Sequence, residues 1–564
     1  MTPRWSSLKK TLLPVIMLLF FATQASYIAI DKSNTWDESA HILSGYAHIT
    51  EGLDGLSPLN HPAFGRMLAG LLPAAVLDLS FDPAIGPEGA KDSRFFPYSI
   101  DFIYKNSSSP TLILFLSRAP NILIGILLGV YVFIWSKELW GENGGLLSLF
   151  LYSLCPNILA HASLATTDMP ITAFFFISTY YLFRLQRHGM TLRRIFAAAV
   201  FMALAFTSKH TAMLLLPIFA ASFVLCLKRE GLRRAIGHFT LLALLIYAFI
   251  WAVYGFRFHS ASPYYLPLDW AIFSGSFFEP LFNTFRTLKV LPEAYLYGIA
   301  GVIMGAGGGK SAFFMGMYSA TGWWYYFIVA FMLKVPIPVI ILGAAALLYG
   351  FCDRVRRTDI IWLVLPALLV FTVISLQNVN IGLRHVLPAF PFIFTMTGFV
   401  PGIKTESMRA AKTVFFLSVG WYLWANLSIF PHQLAYFNEI AGGPDNGAAY
   451  LVDSNLDWGQ DLKGLKTYMD KNGIETINLG YFGLNDPKNF GIRYEYLPSY
   501  LILDPVKAKE TVRLDGWFAV SATMLQGVYL TDRDYYAVFR DIRPVDTIGH
   551  SIYIYRFDRD ESRH

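Results

Sequence analysis

The chain has 564 residues, of which 55% are hydrophobic and 15% charged, and a mean hydropathy of +0.44. Its successive runs of about 20 apolar residues are long enough as helices to cross a hydrocarbon core of ~30 Å, which excludes a soluble globular chain and predicts a polytopic α-helical membrane protein. The net charge of +6 resides in the loops between runs, where it orients the chain and meets anionic lipid, so it does not point to nucleic acid.

In chain order, spans are expected at 11–30, 111–135, 144–163, 169–185, 195–207, 210–227, 235–254, 323–350, 359–376, 385–400 and 413–430. These are eleven, and merging the two short spans within 193–228 would invert every later loop. Charge decides for eleven. Arg4, Lys9, Lys10, Lys137, Arg184, Arg187, Arg193 and Arg194 then share one face with Lys228, Arg229, Arg233, Arg234, Arg354, Arg356, Arg357, Lys404, Arg409 and Lys412. The opposite short loops hold only Lys209 and Arg384. By the positive-inside rule the N-terminus is cytoplasmic and the C-terminus outside. The first span reads as an anchor rather than a secretory signal, because it is too long and no small-residue cleavage site precedes Asp31. Cys155, Cys226 and Cys352 lie within spans or at their cytoplasmic ends, so no disulfide is expected outside.

Three segments are too polar to span and fall outside: 31–110, 255–322 and 431–564. The first opens with Trp36-Asp37-Glu38-Ser39-Ala40-His41, and Asp37, His41, Ser44 and His48 recur on one helix face. After Asn60-His61-Pro62, the spacing of Phe64, Met67, Leu68, Leu71 and Leu72 predicts a helix lying in the membrane interface. The last segment alternates apolar stretches at 448–452, 476–481, 517–521 and 551–556 with a helix at 461–471, which predicts a small outer α/β domain over 431–564 beside a transmembrane domain over 1–430.

Charged groups at membrane depth are costly and mark function. Arg118 lies about two turns into the second span, Asp168 begins the fourth, Lys209 joins the fifth to the sixth, and Arg384 begins the tenth, all toward the side that holds Asp37, Glu38 and His61. Each has a plainer reading. Asp168, after Thr166-Thr167 and before Pro170, suits a helix N-cap; Lys209 and Arg384 suit snorkelling to headgroups; Asp37 and Glu38 suit a solvated helix start. In 453–461, Asp457 and Asp461 share a helix face if the helix starts early, as a metal or sugar site would use, and as the plainer reading Ser454, Asn455 or Asp457 suits a cap for the helix at 461–471. Asp37 and His41 offer two metal ligands and no third, so no metal is assigned, although a divalent ion is left open. Taken together, a carboxylate that removes a hydroxyl proton and cations that hold a leaving phosphate describe sugar transfer from a lipid carrier.

Trp36-Asp37-Glu38 with His41, followed by His61-Pro62-Ala63-Phe64-Gly65-Arg66, resembles the acidic pair and His-Pro-Pro-Leu-Gly-Lys stretch of protein O-mannosyltransferases. Ser117-Arg118-Ala119, Thr167-Asp168-Met169-Pro170, Thr207-Ser208-Lys209 and Leu383-Arg384-His385 with Pro388 and Pro391 resemble stretches of the wider glycosyltransferase family 39, including the aminoarabinose lipid A transferases. The resemblance covers roughly 11–430. It implies a GT-C fold, a polyprenyl-phosphate sugar donor, a hydroxyl acceptor of the cell envelope, inversion at the anomeric carbon, no required cofactor and a place in a bacterial inner membrane. It makes Asp37 the base with Glu38 beside it, and His61, Arg66, Arg118, Asp168, Lys209, Arg384 and His385 substrate-binding. Arg66 stands where the mannosyltransferases carry lysine, Ala63 replaces the second proline, and no trefoil domain follows. The competing reading is a transporter or flippase of a lipid-linked or anionic solute; paired halves would mark it, and the two large outer loops are instead spread unevenly.

Overall fold

The computed structural model describes residues 3–52, 61–82, 95–259, 268–353, 356–403, 408–499 and 514–557. Asn60, Arg354 and Lys404 of the sequence reading lie outside them, as do parts of 31–110, 255–322 and 431–564.

A helix stands at every expected span. Among the described residues six helices are long and apolar enough to cross a membrane, or eight if two bent pairs each count as one span, so the chain is a polytopic helical membrane protein. The expected spans 169–185, 195–207 and 413–430 are the helices Asp168–His188, Leu192–Ser208 and Met408–Leu427, outside that count. The apolar run at 323–350 is not one span: Tyr326–Lys334 and Ile337–Cys352 meet at 116°. Pro336 lies between the two helices, and a proline cannot continue the backbone ladder of the first. Glu142–Ser153 and Pro156–Ala162 bend by 62° in the same way, before Pro156.

The core sits where these helices cross. Asp168–His188 is buried on all sides over its first four turns, which is why its sequence is apolar all round rather than on one stripe. Trp135, on Pro110–Trp140, is fully buried among Phe176, Tyr180, Phe183 and Phe392, with ring centroids 5.0–6.0 Å away.

Toward the C-terminus five strands form one mixed sheet: β3 (Ile477–Gly480), β4 (Tyr494–Tyr496), β5 (Gly516–Ser521), β6 (Asp546–Ile548) and β7 (Ile552–Phe557), in the order β4-β3-β5-β7-β6. β3 runs parallel to β4 and β5, while β7 runs antiparallel to β5 and β6. A separate hairpin pairs β1 (Ala312–Phe314) with β2 (Met317–Ser319). The strand expected at 448–452 is instead a helical turn, Gly447–Tyr450, in which two alanines favour helix over strand. The expected helix at 461–471 is Leu462–Lys471, with Asp461 as N-cap residue and no side-chain cap. The capping role expected of Ser454, Asn455 or Asp457 is therefore wrong: all three are turned elsewhere, as described below.

Candidate active site

The helix Glu38–Glu51 begins just after Asp37, and its neighbour Ala63–Val76 crosses it at glycines. A Cβ on Gly45 would lie 2.0 Å from the Arg66 carbonyl oxygen, and one on Gly70 would lie 2.1 Å from the Tyr46 nitrogen. Gly65 plays the same part toward a third segment, since a Cβ there would lie 2.4 Å from the Ser208 carbonyl oxygen. The absence of these side chains lets the His61–Arg66 stretch sit directly against the turn carrying Lys209.

Glu38 and Arg118 form a closed clamp. Arg118 Nε and Nη2 donate to the two carboxylate oxygens at 2.8 and 2.7 Å, and its Nη1 and Nη2 also donate to the carbonyls of Ala29, Lys32 and Ser33. Glu38 accepts in addition from the amides of Thr35 and Ala165. Both side chains are fully buried. Asn121 Nδ2 donates to the carbonyls of Leu164 and Thr166. The clamp and Asn121 together fix the loop that delivers Asp168.

Asp168 is the first residue of its helix, and its side chain does not cap it; Thr167 holds the cap position. The carboxylate accepts from Lys209 Nζ at 2.6 Å, and its other oxygen lies 3.5 Å from Arg384 Nη1. Arg384 Nη1 donates to Asp37 Oδ2 at 2.8 Å, and Nε donates to Ser454 Oγ at 3.2 Å. Its guanidinium carbon lies 4.2 Å from the centroid of the Trp458 ring. Lys209 and Arg384 are each only 9% exposed, so neither snorkels. Four of the expected residues thus form one chain of charge, Asp37–Arg384–Asp168–Lys209, buried except at Asp37, whose side chain is 27% exposed.

His61 lies beside it, with its ring edge-on to His41 at 5.2 Å and its Nδ1 3.4 Å from Thr167 Oγ1. Arg66 donates to the His61 carbonyl. Burial raises the Asp37 carboxyl, but the charge and hydrogen bond of Arg384, with smaller contributions from His41 and Lys310, together hold Asp37 below the usual carboxylate range. Burial pulls His41 down to about 4 against the attraction of Asp37, and pulls His61 well below its ordinary value, with His41 and Lys209 adding to the effect. Both imidazoles are neutral at pH 7. Buried His161 Nδ1 and His385 Nε2 have no hydrogen-bond partner among the described residues. Among those residues no group of three or more His, Cys, Asp or Glu is arranged to hold a metal ion.

The sequence reading singled out the stretch 453–461 but not its packing against the chain before Asp37 and against Leu383 and Arg384. Trp36 N donates to the Trp458 carbonyl and Ser33 N to the Gln460 carbonyl, so the strand of chain before Asp37 is laid along 458–460. Asn455 Oδ1 accepts from Leu383 N at 2.9 Å and its Nδ2 donates to Tyr326. Buried Lys334 donates to the carbonyls of Leu434, Tyr436 and Asn455. Lys334, a charge inside the apolar run 323–350, is a sequence signal that could have pointed here and was not used. Asp457 accepts from Thr523 N, and Asp461 accepts from Lys32 Nζ.

Residues 114–254 match the family model described as dolichyl-phosphate-mannose-protein mannosyltransferase. No curated protein matches the sequence. Among solved structures the fold is similar to ArnT from Cupriavidus metallidurans bound to undecaprenyl phosphate, at 10% identity over 96% of this chain and 97% of that one, with a TM-score of 0.48. It is also similar to the Archaeoglobus fulgidus oligosaccharyltransferase in the apo form, at 11% identity over 91% and 71% with a TM-score of 0.42. The Archaeoglobus fulgidus oligosaccharyltransferase AglB in complex with an inhibitory peptide and a dolichol-phosphate is similar at 10% identity over 92% and 72%, again with a TM-score of 0.42.

Proposed function

We propose that the chain is an integral-membrane glycosyltransferase on a GT-C scaffold of eleven crossings, moving a sugar from a polyprenyl-phosphate carrier to a hydroxyl outside a bacterial inner membrane with inversion. The observation that carries this reading is the chain of charge Asp37–Arg384–Asp168–Lys209. The family match over 114–254 supports the donor class, because its description pairs a polyprenyl phosphate with a sugar.

Charge fits the donor. The Glu38–Arg118 clamp cancels internally, while Arg66, Lys209 and Arg384 exceed Asp37 and Asp168 by one positive charge. A sugar phosphodiester carries one negative charge, and the departing phosphate monoester carries up to two. In the transfer, the acceptor oxygen forms a bond to the anomeric carbon as that carbon's bond to the phosphate oxygen breaks. The hydroxyl proton passes to Asp37, and the electron pair leaves with the phosphate toward Lys209 and Arg384, which stabilise the growing charge. His41 and His61, neutral at rest, gain basicity as that charge appears. Glu38 and Arg118 position Asp37 and the Asp168 loop without touching substrate.

Binding of undecaprenyl phosphate to the purified protein tests this. Lys209→Ala and Arg384→Ala should each weaken it by roughly 1.5–3 kcal/mol, about 10- to 150-fold. Parent-like affinity in both variants would remove the phosphate from this site.

A further inference from the structure

Asp37 and Arg384 also line a cavity whose other walls the transfer chemistry leaves unused. Its walls include Trp36, Lys310, Asp453, Phe482 and Tyr529. The Trp36 and Phe482 rings stack at 5.1 Å with 17° between planes, and Phe482 and Tyr529 stack at 5.5 Å with 12°. Three nearly parallel rings therefore form one stack, and the faces and edges it leaves open make an apolar wall. Asp453 is a non-glycine residue in the left-handed region, with φ 57°, a conformation of order 1–3 kcal/mol above the ordinary ones. It is held there by its contacts: its amide donates to Thr523 Oγ1, and its carboxylate accepts from Ser454 N and from the Tyr529 hydroxyl. Lys310 is exposed at the opening, and no hydrogen bond or ion pair engages its Nζ among the described residues.

The charges lining the cavity cancel, Asp37 and Asp453 against Arg384 and Lys310. An anionic ligand has no net attraction here. Strand-edge pairing, one main-chain mode of peptide recognition, has no basis here, because none of the lining residues lies in a strand. A neutral ring with an apolar face and several hydroxyls meets these features: stacked aromatics, a fixed acceptor at Asp453 and a donor at Lys310 whose Nζ is otherwise unengaged among the described residues. We propose that this cavity is the acceptor subsite and that the acceptor is a carbohydrate hydroxyl, borne on a neutral sugar ring lying against the Trp36–Phe482–Tyr529 wall between Asp453 and Lys310. The inference rests on the transfer reading, in which Asp37 at the cavity's inner edge takes the acceptor's proton.

Saturation-transfer NMR on the full-length protein in nanodiscs tests it. The probes are the methyl glycosides of glucose, galactose, mannose and N-acetylglucosamine, a threonine-containing peptide, and undecaprenyl phosphate. At least one glycoside should bind, and Lys310→Met and Tyr529→Phe should each lower its affinity by about fivefold or more. That fall should exceed any change in undecaprenyl phosphate affinity. The inference is overturned if no glycoside binds, if glycoside affinity ignores both substitutions, or if the peptide binds instead and is weakened by them. Failure of the transfer reading shows separately, as loss of undecaprenyl phosphate binding by the parent while the glycosides still report on the cavity.

Discussion

Arg384 touches more of the site than any other expected residue, joining Asp37, Asp168, Ser454 and the Trp458 ring through one planar group. This has a consequence for pH. Asp37 must be ionised to accept a proton, and its value lies below the ordinary carboxylate range because Arg384, as the main attraction, and nearby His41 and Lys310 together offset burial. In the parent, transfer should therefore be lost on the acid side only as pH falls below about 3.9, the ordinary aspartate value. In Arg384→Gln the main attraction is gone and burial remains, so the same loss should begin at higher pH; the pH profile of residual transfer reads this directly. An acid limb at the same pH in both proteins would mean that Arg384 does not set the state of Asp37. Lys209, Arg384 and Asp168 were legible in the sequence because charge is rare in that setting. Lys310 was not, because a lysine in an outer loop is ordinary until the fold places it near Asp37, and the stretch 453–461 that carries Asp453, Ser454 and Trp458 was noticed without its contacts, because spacing shows no partner distant in the chain.

The helices were legible as apolar runs, but their breaks were less so. The run at 323–350 hid a bend of 116°, since hydropathy averages over Pro336 and registers Lys334 only as a small dip. Likewise Glu38 and Arg118 lie 80 residues apart, and no periodicity links them. Their clamp ties the start of Glu38–Glu51 to Pro110–Trp140 and to the loop before Asp168. Removing one partner strands a fully buried charge, which typically costs about 3–5 kcal/mol. Arg118→Met should lower the melting temperature and the folded yield, whereas a double variant, Glu38→Gln with Arg118→Met, should recover part of the loss. If Arg118→Met melts like the parent but fails to bind donor, the clamp is a substrate site and its positioning role is wrong.

At the scale of the molecule, the site is assembled from opposite ends of the chain. The stretch before Asp37 lies along 458–460, Arg384 reaches Ser454, and a Cβ on Gly382 would lie 2.1 Å from the Ser454 hydroxyl. Sequence reading placed the residues after 430 in a separate α/β unit and left their role open, because composition shows a change of character but not a contact. The strands appear where alternation was clear, at 477–480, 516–521 and 552–557, and β4 and β6 escaped notice as three-residue strands too short to show alternation. The central claim is that Asp37, held by this arrangement, removes the acceptor proton in transfer from a polyprenyl-phosphate sugar. Its most direct test is mass spectrometry of undecaprenyl-linked sugars and envelope glycans from cells carrying the parent protein or Asp37→Asn at equal membrane abundance. Losing a general base removes about 10²–10⁴-fold of rate, so the variant should accumulate one lipid-linked sugar and lack the corresponding residue in one glycan. Identical donor and glycan profiles in the two strains would contradict the account.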